Sequence, residues 1–452
     1  MSSTAGQPAA RAGAQGEAGR TESGAGPGRI WSVAEHLDDI LRYLKPLEAI
    51  ELPLLEAQGC VLVEDVTAPV ALPPFDNSSM DGYAVRTADV SGATEEFPAA
   101  LTVVGDIAAG ARELPTVGPG EAARIMTGAP LPPGAEAVVP VEWTDGGTGT
   151  GPVTSMAANS TAPGGGSGEV LVHRPVGERG HVRAQGSDIG AGDLALRAGT
   201  VLGPPQIGLL AAIGRAAVRV RPRPRVVVLS TGSELVPPGE RLGPGRIHDS
   251  NSFALTAAAR EAGAIAYRVA SVSDDAATLR ATVDDQLTRA DVLVTSGGVS
   301  VGAYDVVKEA LSQPDDGGGR VEFRRLAMQP GKPQGFGRIG PDRTPLLALP
   351  GNPVSSYVSF ELFVRPVIRS LMGLPPDDRE RLRAVCPEGV ASSPRGKRQF
   401  LRGRYRDGSV TPVGGSGSHL VKALADANAL IVVPEEATSV APGAEVDVVL
   451  LG

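Results

Sequence analysis

Cysteine is nearly missing from this sequence. Cys60 and Cys386 are the only two in 452 residues, and neither has a companion at metal-ligand spacing, which excludes a disulfide framework and a cysteine zinc site. A reducing, cytoplasmic setting is expected. The five histidines show no HxxH or HExxH spacing, so a histidine metal centre is not expected either. No apolar run approaches the roughly 18 residues of a membrane span, and the N-terminus lacks the apolar core of a secretory signal. An excess of basic residues is also absent: 42 Lys and Arg face 51 Asp and Glu, a net charge of -9. That argues against a general nucleic-acid binder and leaves room for a small anionic ligand if positive groups converge in one cleft.

What is present is enough apolar material, 42% of residues, for several cores, and the length suggests two to four domains. Met1 to about Gly28 has little to bury and reads as a disordered tail. Ser32-Val33-Ala34-Glu35 is a capping box, and Val33, Leu37, Ile40, Leu41 and Leu44 follow on one helical face. From Glu51 to about Val220 short β-type runs (Leu101 to Val104, Ala137 to Val141, Glu169 to Val172) alternate with Gly/Pro turns. Gly146 to Gly168 reads as a long surface loop, Pro205 to Ile213 as a helix, and Arg219 to Arg225 as a connector.

Beyond Arg225 buried strands and helices alternate: Val226 to Leu229, Ser252 to Ala262, Ala266 to Val269, Ala276 to Leu287, Val292 to Thr295, Tyr304 to Leu311, Leu346 to Leu349, then Val354 to Leu371. This rhythm predicts a parallel sheet covered by helices on both faces. Short alternating runs after Gly373 (Gln399 to Tyr405, Ala429 to Val433, Glu445 to Leu451) predict a small terminal β domain.

Three predicted strands end in similar loops: Ser230-Thr231-Gly232-Ser233-Glu234, Ser296-Gly297-Gly298-Val299-Ser300, and Pro350-Gly351-Asn352-Pro353. Ligands of open parallel sheets bind beyond the carboxyl ends of the strands, so all three loops should face one crevice. Glycines there let backbone N–H groups approach an oxyanion, and helix N-termini add positive potential. Asn352 is expected as an N-cap with Pro353 at the first helical position. Each loop alone is equally an ordinary strand-to-helix turn; none is a P-loop or GxGxxG fingerprint.

Glu234, Asp249, Asp274 and Asp305 lie at or soon after strand ends. Carboxylates beside a phosphate site call for a hard cation between them, which suggests Mg²⁺, with Glu234 and Asp305 as the better candidates. Helix capping is the competing role, strongest for Asp249. Lys332, in a turn, is either an exposed lysine or a point charge for an oxyanion. Two polar turns, Pro73 to Arg86 and Arg124 to Pro130, read either as structural loops or as parts of a site.

Taken in order, PPFDNSSMDGYAVR from Pro73, RIMTGAPLPPGAEAVV from Arg124, STGSEL from Ser230, SGGVSVGAYD from Ser296, QPGKP from Gln329 and PGNPVS from Pro350 resemble the molybdopterin molybdenumtransferases, the MoeA family that includes the gephyrin E-domain. The resemblance runs from about Ser32 to Leu450. It implies an α/β multidomain fold: a tail (1–29), a helical and β lever (30–66 and 188–220), an inserted β domain (67–187), a doubly wound MogA-like α/β domain (221–374) and a C-terminal β-barrel (375–452). It also implies a homodimer whose cleft lies between the α/β domain of one subunit and the inserted domain of the other.

The implied reaction inserts molybdate into adenylylated molybdopterin with release of AMP, and uses Mg²⁺. A transient contact with a molybdopterin adenylyltransferase follows as a partner expectation; nucleic acid and membrane do not. Carried onto matching positions, the catalytic set is Asp81, Thr127, Asp188, Glu234, Asp274 and Asp305, with Glu234 and Asp305 holding the metal. The three loops supply the molybdopterin contacts: Ser230, Thr231, Gly232, Ser296, Gly297, Gly298, Ser300, Pro350, Gly351 and Asn352. Lys332, Ser355, Arg402 and Ser418 would donate to molybdate, a dianion suited to charge-assisted hydrogen bonds.

Two positions depart from the family pattern: Gln329 stands where well-known relatives have a lysine, and Arg325 where some have another. Molybdate affinity or pH dependence is therefore open to change, as is a preference for tungstate. A scaffold protein, the other role known in the family, is the rival from a different class. The short Ala/Gly-rich tail, in place of a second enzymatic domain, favours the plain enzyme.

Overall fold

In a computed structural model of the chain, residues 29–149, 151–155, 168–272, 275–299, 306–314 and 319–452 are described. The largest sheet has seven strands: β1 (Ile30–Trp31), β2 (Arg225–Ser230), β3 (Ile265–Arg268), β4 (Val292–Ser296), β5 (Val321–Leu326), β6 (Pro333–Ile339) and β7 (Thr344–Leu349). Their spatial order is β1-β5-β6-β7-β4-β2-β3. Val226 to Leu229 and Val292 to Val294 are completely buried, as continuous apolar strands covered on both faces must be. Alternate residues serve opposite cores. Val226, Val228, Val292 and Val294 pack with the helix Asn251–Glu261 and the helical stretch from Pro353. Val227, Leu229 and Leu293 pack instead with Ala276–Leu287 and Val306–Leu311.

The expectation of a purely parallel sheet needs correction. β3, β2, β4 and β7 are parallel neighbours, but β6 runs antiparallel to both β7 and β5. β6 escapes sequence reading because Pro333, Gly335 and Gly337 are poor strand formers. Gly337 is required by packing: a Cβ there would lie 2.1 Å from the Arg320 carbonyl oxygen. The single helix expected from Val354 to Leu371 is three pieces, Pro353–Ser359, a π-helical turn Phe360–Val364, and Arg365–Leu371.

The capping box at Ser32 is present in full, and it starts the helix Val33–Leu41. The preceding strand and this helix pack on the α/β body, although residues 30–66 are expected in the lever. β1 pairs with β5, Val33 and Ile40 join the body's core, and the Leu47 N–H donates to the Leu371 carbonyl at 2.8 Å. Arg324 secures the helix through Asp39 at 2.7 Å and stacks on Trp31. The chain then leaves along Ile50–Pro53 and returns along Ala217–Arg221, two strands paired antiparallel. The expected connector therefore begins as a strand. Around this pair Leu62, Leu202, Leu210 and Ile213 form a separate core with the helix Pro204–Ala212.

The excursion carries a five-stranded sheet ordered Glu169–Val172, Ala99–Ile107, Glu121–Ile125, Gly82–Val85, Ala137–Pro140. Most of the predicted Gly146 to Gly168 loop lies outside the described residues. After residue 380, Arg398–Arg406, Ser409–Pro412, Arg381–Cys386, Ala444–Leu450 and Ala429–Val433 close into a five-stranded barrel, because Arg398–Arg406 also pairs with Ala429–Val433. An ion network centred on the buried Glu361 ties the barrel's leading segment to the body: Glu361 accepts from Arg365 at 2.8 Å and from Arg379 at 2.9 Å, and Arg379 reaches the exposed Glu261 at 2.8 Å.

Candidate active cleft

The parallel strands β2, β4 and β7 stop at the same edge, in register through Ser230, Ser296 and Leu349. Their loops enclose a cleft of about 710 Å³. Ser230, Thr231, Gly232, Glu234, Ser296, Gly297, Gly298, Val299, Gly351, Asn352 and Pro353 all line it, so the structure brings together the described residues of all three predicted loops except Ser233 and Pro350. Ser300, Asp274 and Asp305 fall outside the described residues.

Polar contacts interlock the loops. Asp249, 2% exposed, accepts from Ser230 Oγ at 3.0 Å and from the Ser252 N–H at 3.1 Å. That is the capping role weighed for it, with the first loop attached as well. Asn251 Nδ2 donates to Ser296 Oγ at 2.8 Å and to the Gly351 carbonyl at 2.7 Å, joining the second loop to the third. Ser296 Oγ is also 3.2 Å from Ser356 Oγ and 3.4 Å from the Pro350 carbonyl oxygen.

The glycines are there for closeness. Gly297 has φ +104°, and a Cβ would stand 2.6 Å from the Thr231 carbonyl oxygen, a separation no side chain tolerates. Gly232, at φ +151°, leaves space that the Glu234 carboxylate fills: a Cβ would meet Glu234 Oε2 at 2.5 Å. The Thr231 hydroxyl is buried and has no hydrogen-bond partner among the described residues.

Two helices begin at the cleft, at Asn251 and at Pro353, and present positive dipole ends. Asn352 occupies the N-cap position, but its side chain makes no capping bond; the Val354 N–H donates instead to the Ser418 carbonyl at 3.0 Å. The described lining includes two carboxylates, Glu234 and Asp249, and two histidines, His248 and His419, but no lysine or arginine. His419, Val421 and Asn251 were missed by sequence reading. His419 sits in the Gly417-Ser418-His419 string, where attention fell on the serine, and Asn251 was absorbed into a helix start.

The remaining predicted residues lie elsewhere. Lys332 is exposed on a turn beside the body, and Ser355 is buried on the helix Pro353–Ser359. Arg402 is 2% exposed and spends its guanidinium on the 413–417 loop: Nε donates to the Val413 carbonyl at 3.3 Å, Nη1 to Gly417 at 3.0 Å, and Nη2 to Gly415 at 2.5 Å. Burial lowers its pKa. In this geometry Arg402 shapes the loop carrying Ser418. On the inserted sheet, Asp81 and Thr127 meet: Asp81 Oδ1 accepts from the Thr127 N–H at 2.7 Å and from its hydroxyl at 2.8 Å. Asp188 is exposed, with its N–H donating to the Leu72 carbonyl at 3.0 Å. None of these three is among the described residues lining the cleft.

A parallel sheet whose interlocked glycine loops and two helix N-termini meet at one edge has the arrangement in which open α/β sheets bind small molecules. The chain matches three family descriptions in succession: MoeA N-terminal region (domain I and II) over residues 31–214, probable molybdopterin binding domain over 227–370, and MoeA C-terminal region (domain IV) over 383–451. It is 47% identical over 421 residues to molybdopterin molybdenumtransferase 2 of Mycobacterium tuberculosis, covering 92% of this chain and 98% of that relative. It is 34% identical to the molybdopterin molybdenumtransferase of Bacillus subtilis, covering 86% and 87%. A solved molybdopterin biosynthesis MoeA protein from Pyrococcus horikosii superposes with TM-score 0.69 at 33% identity, covering 94% of this chain and all of that one. The chain belongs to the MoeA family of molybdopterin molybdenumtransferases.

Proposed function

We propose that this protein is a molybdopterin molybdenumtransferase that inserts molybdate into adenylylated molybdopterin and releases AMP, yielding molybdenum cofactor. The observation that carries the reading is the cleft itself: three glycine-bearing loops from adjacent parallel strands, held to one another by Asp249 and Asn251. Backbone N–H groups at the two helix N-termini would receive the phosphates.

Mg²⁺ fits this donor set. Among the described residues no three His, Cys, Asp or Glu side chains gather into a metal cage, while Glu234 supplies one carboxylate at the cleft. That suits an ion held by one or two carboxylates, substrate phosphates and water. Glu234 would hold it together with Asp305, and when bound it would neutralise phosphate charge next to the two carboxylates of the lining. The protein's part is to align the ligand and exclude water; fixed alignment of reactants accounts for much of the rate gain in such transfers.

Lys332, Ser355 and Ser418 form the oxyanion side of this reading, with Arg402 setting the loop that carries Ser418. Asp81 and Thr127 of the partner subunit, with its Asp188, complete the cleft in a homodimer. The reading keeps the division of the chain into tail, lever, inserted, α/β and barrel parts, with the segment from Ile30 to Leu47 moved to the α/β part. It also keeps a cytoplasmic location and a transient contact with a molybdopterin adenylyltransferase. Among the described residues no helix is long and apolar enough to cross a membrane.

The test is direct. Purified protein given adenylylated molybdopterin, Mg²⁺ and molybdate should release AMP and form molybdenum-loaded cofactor. AMP no higher than in a molybdate-free control, with the organic substrate bound, would sink the reading.

A further inference from the structure

The helix Pro353–Ser359 makes two polar contacts one turn apart, and they lead to different places. Ser356 Oγ meets Ser296 Oγ at 3.2 Å, and Asn251 carries that link on to the Gly351 carbonyl. This is the glycine-loop side. One turn later Ser359 Oγ accepts from Gln334 Nε2 at 2.6 Å, and the same amide nitrogen donates to the Gly331 carbonyl at 2.7 Å. Gln334 is 1% exposed and Ser359 completely buried. The amide has two hydrogens, and both are used.

Gly331 is seated directly on the helix. It has φ +95°, and a Cβ would come within 2.9 Å of Ser359 Oγ and 3.1 Å of Met328 Cε. The next residue is Lys332, whose carbonyl accepts from the Leu326 N–H at 2.8 Å. The backbone on either side of Lys332 is therefore pinned while its side chain stays exposed. A buried glutamine with both donors satisfied, placed under a charged turn, is a device for direction: an ammonium on a flexible stem acts as a point charge only as accurately as its backbone is held.

We propose that Gln334 and Ser359 are positioning residues that aim Lys332 at the oxyanion, whereas Ser356 and Asn251 fix the loops around the organic ligand, so that one helix sets the two subsites through separable contacts. The inference rests on the proposed oxyanion role of Lys332. Neither Gln334 nor Ser359 touches substrate; both act through the turn.

The experiment measures molybdate binding to the full chain by equilibrium dialysis and adenylylated molybdopterin binding separately, with thermal unfolding recorded for each variant. Ser359→Ala should weaken molybdate binding by about fivefold, the worth of one net hydrogen bond, and Gln334→Met, which removes two, by at least about fivefold, each leaving the organic ligand within twofold. Ser356→Ala and Asn251→Ala should do the reverse. Ser359→Ala made on a Lys332→Ala background should add no further loss, which a general structural defect would not reproduce. If Lys332→Ala weakens molybdate binding but Ser359→Ala and Gln334→Met do not, or if all four variants weaken both ligands alike, the inference is overturned while the oxyanion reading stands. If Lys332→Ala itself leaves molybdate binding unchanged, the oxyanion reading falls and takes the inference with it.

Discussion

The cleft of the α/β body and the Asp81 turn of the inserted sheet hold their polar groups in different ways. In the cleft, Asp249 and Asn251 join loops from three strands, and the glycines admit no side chain between them. At Asp81 a single carboxylate oxygen accepts two bonds from one residue, Thr127, on an exposed surface. The first arrangement is preorganised within its own chain. The second joins two exposed turns 46 residues apart in sequence, and in the homodimer proposed above it would gain a larger role where the other subunit meets it.

The difference can be broken most forcefully at Gly297. Gly297→Val places side-chain atoms against the Thr231 backbone at a left-handed φ and forces the first and second loops apart. Activity should fall by at least about a hundredfold, the scale expected for a displacement of about 1 Å at a reacting centre. Near-normal AMP release from a folded Gly297→Val protein would mean that the loops do not need their contact.

A smaller effect separates the stability of the body from that of the inserted sheet. His36 is 1% exposed on the buried face of the helix Val33–Leu41; burial, assisted by Arg324, lowers its pKa to about 3. The unfolded chain takes up a proton near pH 6.5 that the folded chain refuses until about 3. The stabilisation is therefore full above pH 6.5 and is lost as pH falls from there toward 3, by up to about 1.4 kcal/mol per pH unit. Chemical unfolding followed between pH 7 and 5 should show this slope in wild type and a shallower one in His36→Gln. Equal slopes would assign acid sensitivity to other groups, the inserted sheet included.

The smallest change expected is at Thr127. Thr127→Val removes the hydroxyl's bond to Asp81 and keeps the backbone one, so thermal stability should change little. Turnover should drop by about tenfold or less if Asp81 works at the cleft. Turnover equal to wild type would leave the Asp81 turn a structural loop, the alternative its composition allowed.

Legibility followed the same division. The helix Ala276–Leu287 and the strand Ala429–Val433 match their sequence patterns at both ends, because apolar periodicity and burial agree there. The three glycine loops were readable because strand, turn and helix signals follow one another closely. β1 and β6 were not: two residues carry no period, and the glycines of β6 are set by close backbone approach rather than by strand preference. Arg402 entered the oxyanion set through the family resemblance; its guanidinium also donates to three carbonyls of one loop, and carbonyls leave no trace in side-chain sequence. Asn251 was hidden for a related reason, since its value lies in joining loops 45 and 100 residues away.

The strand Ile30–Trp31 pairs with Arg325 and Leu326, and this has a consequence for synthesis. The ribosome makes the edge strand first and its neighbour roughly 300 residues later, a wide gap for loop closure. During that interval the excursion beginning at Ile50 is already complete and returns along Ala217–Arg221 to pair with its own outgoing strand. The inserted part is thus able to fold before the body that holds both of its ends.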